Sequence, residues 1–220
     1  KWWPLLSQWA EFLCEKGFDP ERQLCTDDFA GRLAHNANLS IKAILAIGAY
    51  ADLCNRLGLS DDARRFRAAA EQMVQAWTSA ARDTNGRASA DGRAPDRLSD
   101  NGHYRLAFNR PGTWSMKYNL IWDQLLDLRL FPPEVVKAEL AFYLKHQQKY
   151  GLPLDSRKKY AKLDWIGWVA SMGTRKDFDA LMKPVYRWVH ETPTRVPLAD
   201  HYWADSGDQV VHWKERNIGF

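Results

Sequence analysis

The chain has 220 residues, of which 45% are hydrophobic and 26% are charged, and its net charge at pH 7 is +4. This composition is typical of a globular protein and argues against a disordered chain. Lys and Arg are interspersed without forming a basic run, so we expect no nucleic-acid partner. No apolar run reaches the roughly 18 residues that a membrane span needs, so we expect no membrane partner either.

The three cysteines, Cys14, Cys25 and Cys54, form no CxxC motif, and no histidine lies at metal-ligand spacing from them. The spacing therefore indicates neither a zinc site nor a disulfide framework, although one pair can still form. We expect no metal and no other cofactor. The chain starts at Lys1 rather than Met and shows no signal-peptide pattern, which favours a mature or excised segment.

Apolar residues at helical spacing predict the first three helices. The first helix ends at Gly17 and carries one apolar stripe, which makes it an outer, amphipathic helix; the stripe is Leu5, Leu6, Trp9, Phe12 and Leu13. The segment Leu39–Leu57 leaves almost no polar face and predicts a helix buried on all sides. Between Asp61 and Arg82 the single stripe returns, which predicts a second outer helix.

The same alternation recurs twice downstream. Segments 120–128 and 163–172 are apolar, whereas the helices predicted over Pro133–Tyr150 and 178–189 are amphipathic. Successive hairpins with one buried and one exposed helix build helical solenoids and closed α/α toroids. We therefore predict an all-α fold of alternating inner and outer αα-hairpins, about half of a six-hairpin (α/α) toroid, with residues 1–220 as a single helical domain.

Two segments lack a helical pattern. Residues 83–117 contain four turn-forming dipeptides, which predict a long irregular loop: Asn85-Gly86, Asp91-Gly92, Asn101-Gly102 and Pro111-Gly112. Near the end of this loop, alternation in His103–Phe108 predicts one short strand. The tail 192–220 is predicted to be a strap or an edge hairpin.

Three polar, aromatic-rich stretches each lead into an apolar helix: residues 26–38, 113–119 and 154–165. If the helices pack side by side in one sense, all three stretches gather at one end of the fold. Carboxylates, amides, cations and indoles would then converge on one pocket, as helical proteins build a site for a small polar ligand.

Several longer motifs resemble the C-terminal region of the glutaminase A-like family. They are QLCTDDFAG (23–31), HNANLSIKAI (35–44), HYRLAF (103–108), PGTWS (111–115), KYNL (117–120), WD (122–123) and YGLPLDSR (150–157). The resemblance covers nearly the whole chain. It implies a larger secreted or periplasmic protein with a β-rich N-terminal part and a six-hairpin α-toroid, acting as an L-glutamine amidohydrolase.

Hydrolysis of a carboxamide needs an activated water or hydroxyl, a donor for the oxyanion and a proton for the departing ammonia. The candidate catalytic residues are Asp28, His35, Asp123 and Asp164. The candidate substrate-binding residues are Asp27, Asn36, Asn38, Trp114, Lys117, Asp155, Arg157 and Trp165. Arg157, Lys42 and Lys117 suit a carboxylate clamp. Thr26, Thr113 and Ser115 are possible nucleophiles without a supporting motif.

Each candidate also has a structural interpretation. Asp28 and Asn38 precede helical patterns and can cap them, and His35 can be a structural imidazole. Asp123 can pair with a buried cation, and Asp155 and Arg157 can simply form a structural ion pair across a turn. The tryptophans can belong to the core.

Two other functions stay open at the level of sequence. A glycoside-active enzyme would also use Trp, Asp and Asn, and six-hairpin toroids carry glycosidases. A non-catalytic half-toroid could instead pack against a partner. The expected partners are a small polar substrate, either an amino-acid amide or a sugar, and the remaining domains of the parent chain.

Overall fold

Seven α-helices make up most of the computed structural model, which describes residues 2–21, 30–83, 102–194 and 198–210. The helices are α1 (Trp3–Lys16), α2 (Ala37–Arg56), α3 (Ser60–Ala80), α4 (Ile121–Leu125), α5 (Pro133–His146), α6 (Leu163–Ser171) and α7 (Arg175–Glu191). A 3-10 turn (Tyr118–Leu120) leads into α4. The predicted helical class is confirmed.

Two short antiparallel pairs of strands complete the described elements. β1 (Arg82–Asp83) pairs with β2 (His103–Tyr104), and β3 (Tyr160–Lys162) pairs with β4 (His201–Trp203). β2 lies where the sequence predicts a strand but has two residues rather than six. Both pairs lie beside the polar segments described below.

The helices form two layers. α2, the 3-10 turn with α4, and α6 pack against one another as the inner layer, whereas α1, α3, α5 and α7 lie outside them. Twelve of the 20 residues of α2 are buried, but only four of 21 in α3 and three of 17 in α7. The apolar pattern therefore predicts the layer correctly. Closure into a toroid and the extent of the domain stay predictions.

α2 is long and apolar enough to cross a membrane by length and composition. Most of its residues are buried inside the protein, however, as expected for the central helix of a core. One hydrophobic cluster runs from Ala10 in α1 to Val210 after β4, and α2 lies within it. This cluster fixes the positions of the inner helices.

α1 departs from its predicted stripe. Trp3, Leu6 and Leu13 pack against the core, while Trp9 and Phe12 are 55% and 59% exposed. The helix has apolar residues on two faces, and the prediction combined residues of both in one stripe. Because only one face meets α2, the other is left apolar and exposed to solvent.

α4 is shorter than the predicted apolar segment 120–128. The Asp123 carboxylate accepts hydrogen bonds from the backbone N–H groups of Leu130 and Phe131, both at 3.0 Å. Asp127 and Arg129 adopt left-handed φ angles of 50° and 53° in the same turn. A side chain that binds nearby backbone groups competes with helix hydrogen bonds, so the chain leaves the helix here.

Candidate active site

The structure brings the described parts of the three polar stretches to one end of the inner layer. We call this end the polar rim, comprising residues 30–38, 113–119 and 154–165. The Met116 N–H donates to the Leu154 carbonyl at 2.8 Å, and the Ser156 N–H donates to the Trp114 carbonyl at 3.0 Å. Arg157 reaches the first stretch, because its Nη1 donates to the Ala30 carbonyl at 3.1 Å.

The first and second stretches meet through two asparagines. Asn119 Nδ2 donates to the Asn38 carbonyl at 3.0 Å, and the Asn119 N–H donates to Asn38 Oδ1 at 3.4 Å. Asn36 caps α2 by accepting the Leu39 N–H at 2.8 Å. Its Nδ2 is buried without a hydrogen-bond partner in the part of the chain that the structure describes. A buried donor without a partner costs free energy.

His35 has a left-handed backbone, with φ of 62°, immediately before the α2 cap. Its Nδ1 lies 2.7 Å from Asp19 Oδ1. The ring is about one-third exposed and lines a groove of about 920 Å³ between the end of α1 and the start of α2. Lys42, a candidate carboxylate clamp, lines the same groove.

Asp164 lies at the start of α6 with half of its side chain exposed. Loss of hydration raises the pKa of its carboxyl, and the nearby Lys162 opposes that shift. Lys162 Nζ lies 3.8 Å from Asp164 Oδ1 and makes a closer ion pair with Asp200. A carboxyl with a raised pKa can carry a proton nearer to neutral pH, which a general acid requires.

Trp165 follows Asp164 and is buried, with its ring stacked on Tyr118 at a centroid distance of 4.2 Å. Lys162 Nζ lies 5.4 Å from the centroid of the Trp165 ring. The tryptophan therefore belongs to the core and also forms the floor beneath the Lys162 ammonium. Nearby His201 is buried, and loss of hydration lowers its pKa to about 4.

Asp155 and Arg157 form a bidentate ion pair, in which Nε and Nη2 of Arg157 donate to the two Asp155 oxygens at 3.0 and 2.6 Å. Asp155 is 1% exposed and Arg157 is 19% exposed. A substrate carboxylate would have to compete with Asp155 and the Ala30 carbonyl for this guanidinium. The pair therefore links two segments of the rim. Trp114 is half-buried and packs against Phe142.

Lys117 belongs to the second stretch of the rim but is fully buried. Its Nζ donates to the carbonyls of Tyr104 and Ser115, both at 3.0 Å, and lies 3.7 Å from Glu139 Oε2. Tyr143 donates to the same Glu139 carboxylate. Burial lowers the pKa of Lys117 and raises that of Glu139. Because the Lys117 ammonium is unexposed and its N–H groups are already hydrogen-bonded, it belongs to a buried network that supports the rim.

The structure does not bring Asp123 to the polar rim. It lines a second groove, of about 1170 Å³, between the turn after α4 and the turn after α6. Its two oxygens accept the backbone bonds that end α4. Thr26, Asp27 and Asp28 lie outside the described residues.

Sequence reasoning did not single out five residues that the structure places in these contacts: Asp19, Asn119, Glu139, Lys162 and Asp200. Asn119 and Lys162 lie within the polar stretches, so the same pattern that marks their neighbours could have marked them as candidates. Asp19 is separated from His35 by 16 positions, and Asp200 is separated from Lys162 by 38. No local pattern marks such pairings.

The fold defines a class of protein: a helical-hairpin protein whose inner helices present polar segments at one end. The chain belongs to the Glutaminase A six helical-hairpin domain family, which matches residues 1–219. The predicted family resemblance is thus confirmed.

Two curated relatives are similar over most of this chain. Glutaminase A of Aspergillus oryzae is 34% identical over 206 residues, which cover 94% of this chain and 28% of the relative. A protein of Arthroderma benhamiae named Probable glutaminase is 29% identical over 225 residues, covering 90% of this chain and 24% of the relative. The chain thus spans about a quarter of the length of these relatives.

Proposed function

We propose that the chain is part of a glutaminase-like hydrolase that converts the side-chain amide of L-glutamine to L-glutamate and ammonia. The observation that carries the proposal is the similarity to Glutaminase A of Aspergillus oryzae along 94% of the chain. The polar rim supports it, because it combines an imidazole, a carboxyl with raised pKa and a buried amide donor. Neither relative's name indicates a sugar substrate, so we do not propose a glycosidase.

In this proposal different rim residues carry out the separate steps of amide hydrolysis. His35 removes a proton from water, whose oxygen adds to the amide carbon, and Asn36 Nδ2 donates to the developing oxyanion. Asp164 gives its proton to the leaving nitrogen as the carbon–nitrogen bond breaks, so one water is consumed and one ammonia is released. Asn38 and Trp165 shape the floor, while Asp155 with Arg157 holds the rim segments together.

The longer protein supplies the rest of the site. Because the chain spans about a quarter of its relatives, we propose the remaining domains of the parent chain as its main protein partners. Secretion or export to the periplasm, which the resemblance implies, is part of the same proposal. Phe12, on the exposed face of α1, lines the same groove as His35, so further helices docked on that face would lie beside this part of the rim.

Ammonia release by the full-length protein tests the proposal. L-glutamine, L-asparagine and simple aliphatic amides are offered separately, and we expect release from L-glutamine to be fastest. Asp179→Asn is a matched control, since Asp179 pairs with Arg175 on the exposed surface of α7. Release from none of the amides by folded protein would refute the proposal.

A further inference from the structure

Three consecutive residues of the loop after α1 contact His35 of the polar rim or Phe108, which bonds to it. Phe18 stacks on Phe108 with ring centroids 5.3 Å apart. Asp19 Oδ1 lies 2.7 Å from His35 Nδ1, and the Pro20 carbonyl accepts the His35 N–H at 2.7 Å. His35 is therefore held by its ring and by its backbone from the same loop, which fixes the ring relative to the groove.

The backbone of His35 is held in the left-handed region, with φ of 62°. A left-handed φ is uncommon for a residue other than glycine and is unfavourable unless surrounding contacts hold it. The Phe108 N–H donates to the His35 carbonyl at 2.9 Å, and with the Pro20 contact it holds both backbone polar groups of His35. This backbone places the imidazole against Asp19 rather than along the surface of α2.

The contact with Asp19 determines which ring nitrogen carries the proton. A carboxylate only accepts hydrogen bonds, so the neutral imidazole must carry its proton on Nδ1. Nε2 then has the free lone pair, and the partly exposed ring lines the groove together with Lys42. An acid that orients a histidine in this way is the usual partner of a general base.

We propose that Asp19 is a positioning residue for the hydrolase, keeping His35 in the tautomer whose Nε2 accepts a proton from water. This inference rests on the proposed function for its catalytic meaning, although the tautomer itself does not. Asp19 acts only through His35. It was not among the residues that the sequence marks as candidates.

Kinetics of the full-length protein with L-glutamine test the catalytic part. For Asp19→Ala we expect kcat to fall by about 10- to 100-fold while KM changes by less than about twofold, since Asp19 orients the base and does not bind substrate. Asp19→Ala combined with His35→Asn should lose no more than His35→Asn alone. Asp52→Ala, which removes an exposed pair with Arg56 on α2, is the control.

Unchanged kcat in folded Asp19→Ala, or losses that add in the double variant, would overturn the inference. If the wild type releases no ammonia from any amide, the proposed function fails and a second measurement decides. Nitrogen-15 chemical shifts distinguish a protonated imidazole nitrogen from one with a free lone pair, and His35→Asn assigns the His35 signals in histidine-labelled full-length protein. At high pH we expect the His35 ring of the wild type to be protonated on Nδ1 and Asp19→Ala to shift it toward protonation on Nε2; an unchanged tautomer in Asp19→Ala would overturn the inference.

Discussion

Replacing Glu139 with alanine should destabilise the protein strongly, because the buried network beneath the polar rim depends on this carboxylate. Glu139 is unexposed, accepts the Tyr104 N–H at 2.8 Å and the Tyr143 hydroxyl, and lies 3.7 Å from Lys117 Nζ. Removing it leaves a buried ammonium without its counter-charge and a buried N–H without its acceptor. Breaking one partner of a buried pair typically costs about 3–5 kcal/mol.

This cost can be measured by thermal unfolding of the full-length protein. For a domain of this size, each kcal/mol lowers the midpoint by about 2–4 °C, so we expect a decrease of roughly 6–20 °C for the transition that includes this chain. Glu134→Ala is the matched control, since it removes an exposed carboxylate from the first turn of the same helix, α5. Its expected cost is about 0.3–1 kcal/mol.

A double variant separates charge from packing. Lys117→Met with Glu139→Leu removes both charges, so it should be less destabilised than Glu139→Ala alone, because no unpaired charge stays buried. If Glu139→Ala costs no more than Glu134→Ala, the reasoning is refuted. When Lys117→Met and Glu139→Leu are also measured singly, losses that add in the double variant would show that the two side chains are not coupled.

Three further outcomes are expected. Asp164→Asn should lower kcat for L-glutamine by about 100-fold in steady-state assays, whereas the control Asp179→Asn should not. Equal kcat values for the two variants would contradict the role of Asp164 as general acid. Burial lowers the pKa of His103 from 6.5 to about 4, so the native state binds fewer protons and loses stability as pH falls through this window. In urea titrations at pH 7 and 5, His103→Asn should lose less stability than the wild type, and an identical loss would count against burial as the cause. Residues 1–220 expressed alone should self-associate through the exposed face of α1, where Trp9 and Phe12 lie. Sedimentation velocity should show less association for the variant Trp9→Ser with Phe12→Ser, and a strictly monomeric wild-type segment would contradict the prediction.

The helices were predictable where the signal is local. The continuous apolar pattern of α2 and the single stripes of α3 and α7 follow from residues three and four positions apart, and the structure has these helices in the expected layers. α4 was not predictable in length, because it ends where the Asp123 side chain binds backbone groups seven and eight residues further on. Periodicity contains no information about that competition.

The sequence indicates where the polar segments gather, but it does not indicate which side chains pair there. Local motifs marked His35, Asn36 and Asp164, which all lie at the starts of inner helices. Burial of Lys117 depends on Tyr143, 26 residues away on an outer helix. The pairing of His35 with Asp19 depends on how a loop returns after α1. Such contacts are set by tertiary packing, which a single sequence does not specify.

The bond between Arg157 and the Ala30 carbonyl joins residues 127 positions apart. Closing so long a loop carries an entropic penalty that grows with the logarithm of its length, whereas the α2–α3 and α6–α7 hairpins close over short connections. The hairpins can therefore form early in folding, and the polar rim is assembled only after they dock. A chain interrupted during synthesis would hold correctly formed helices and still lack the assembled polar rim.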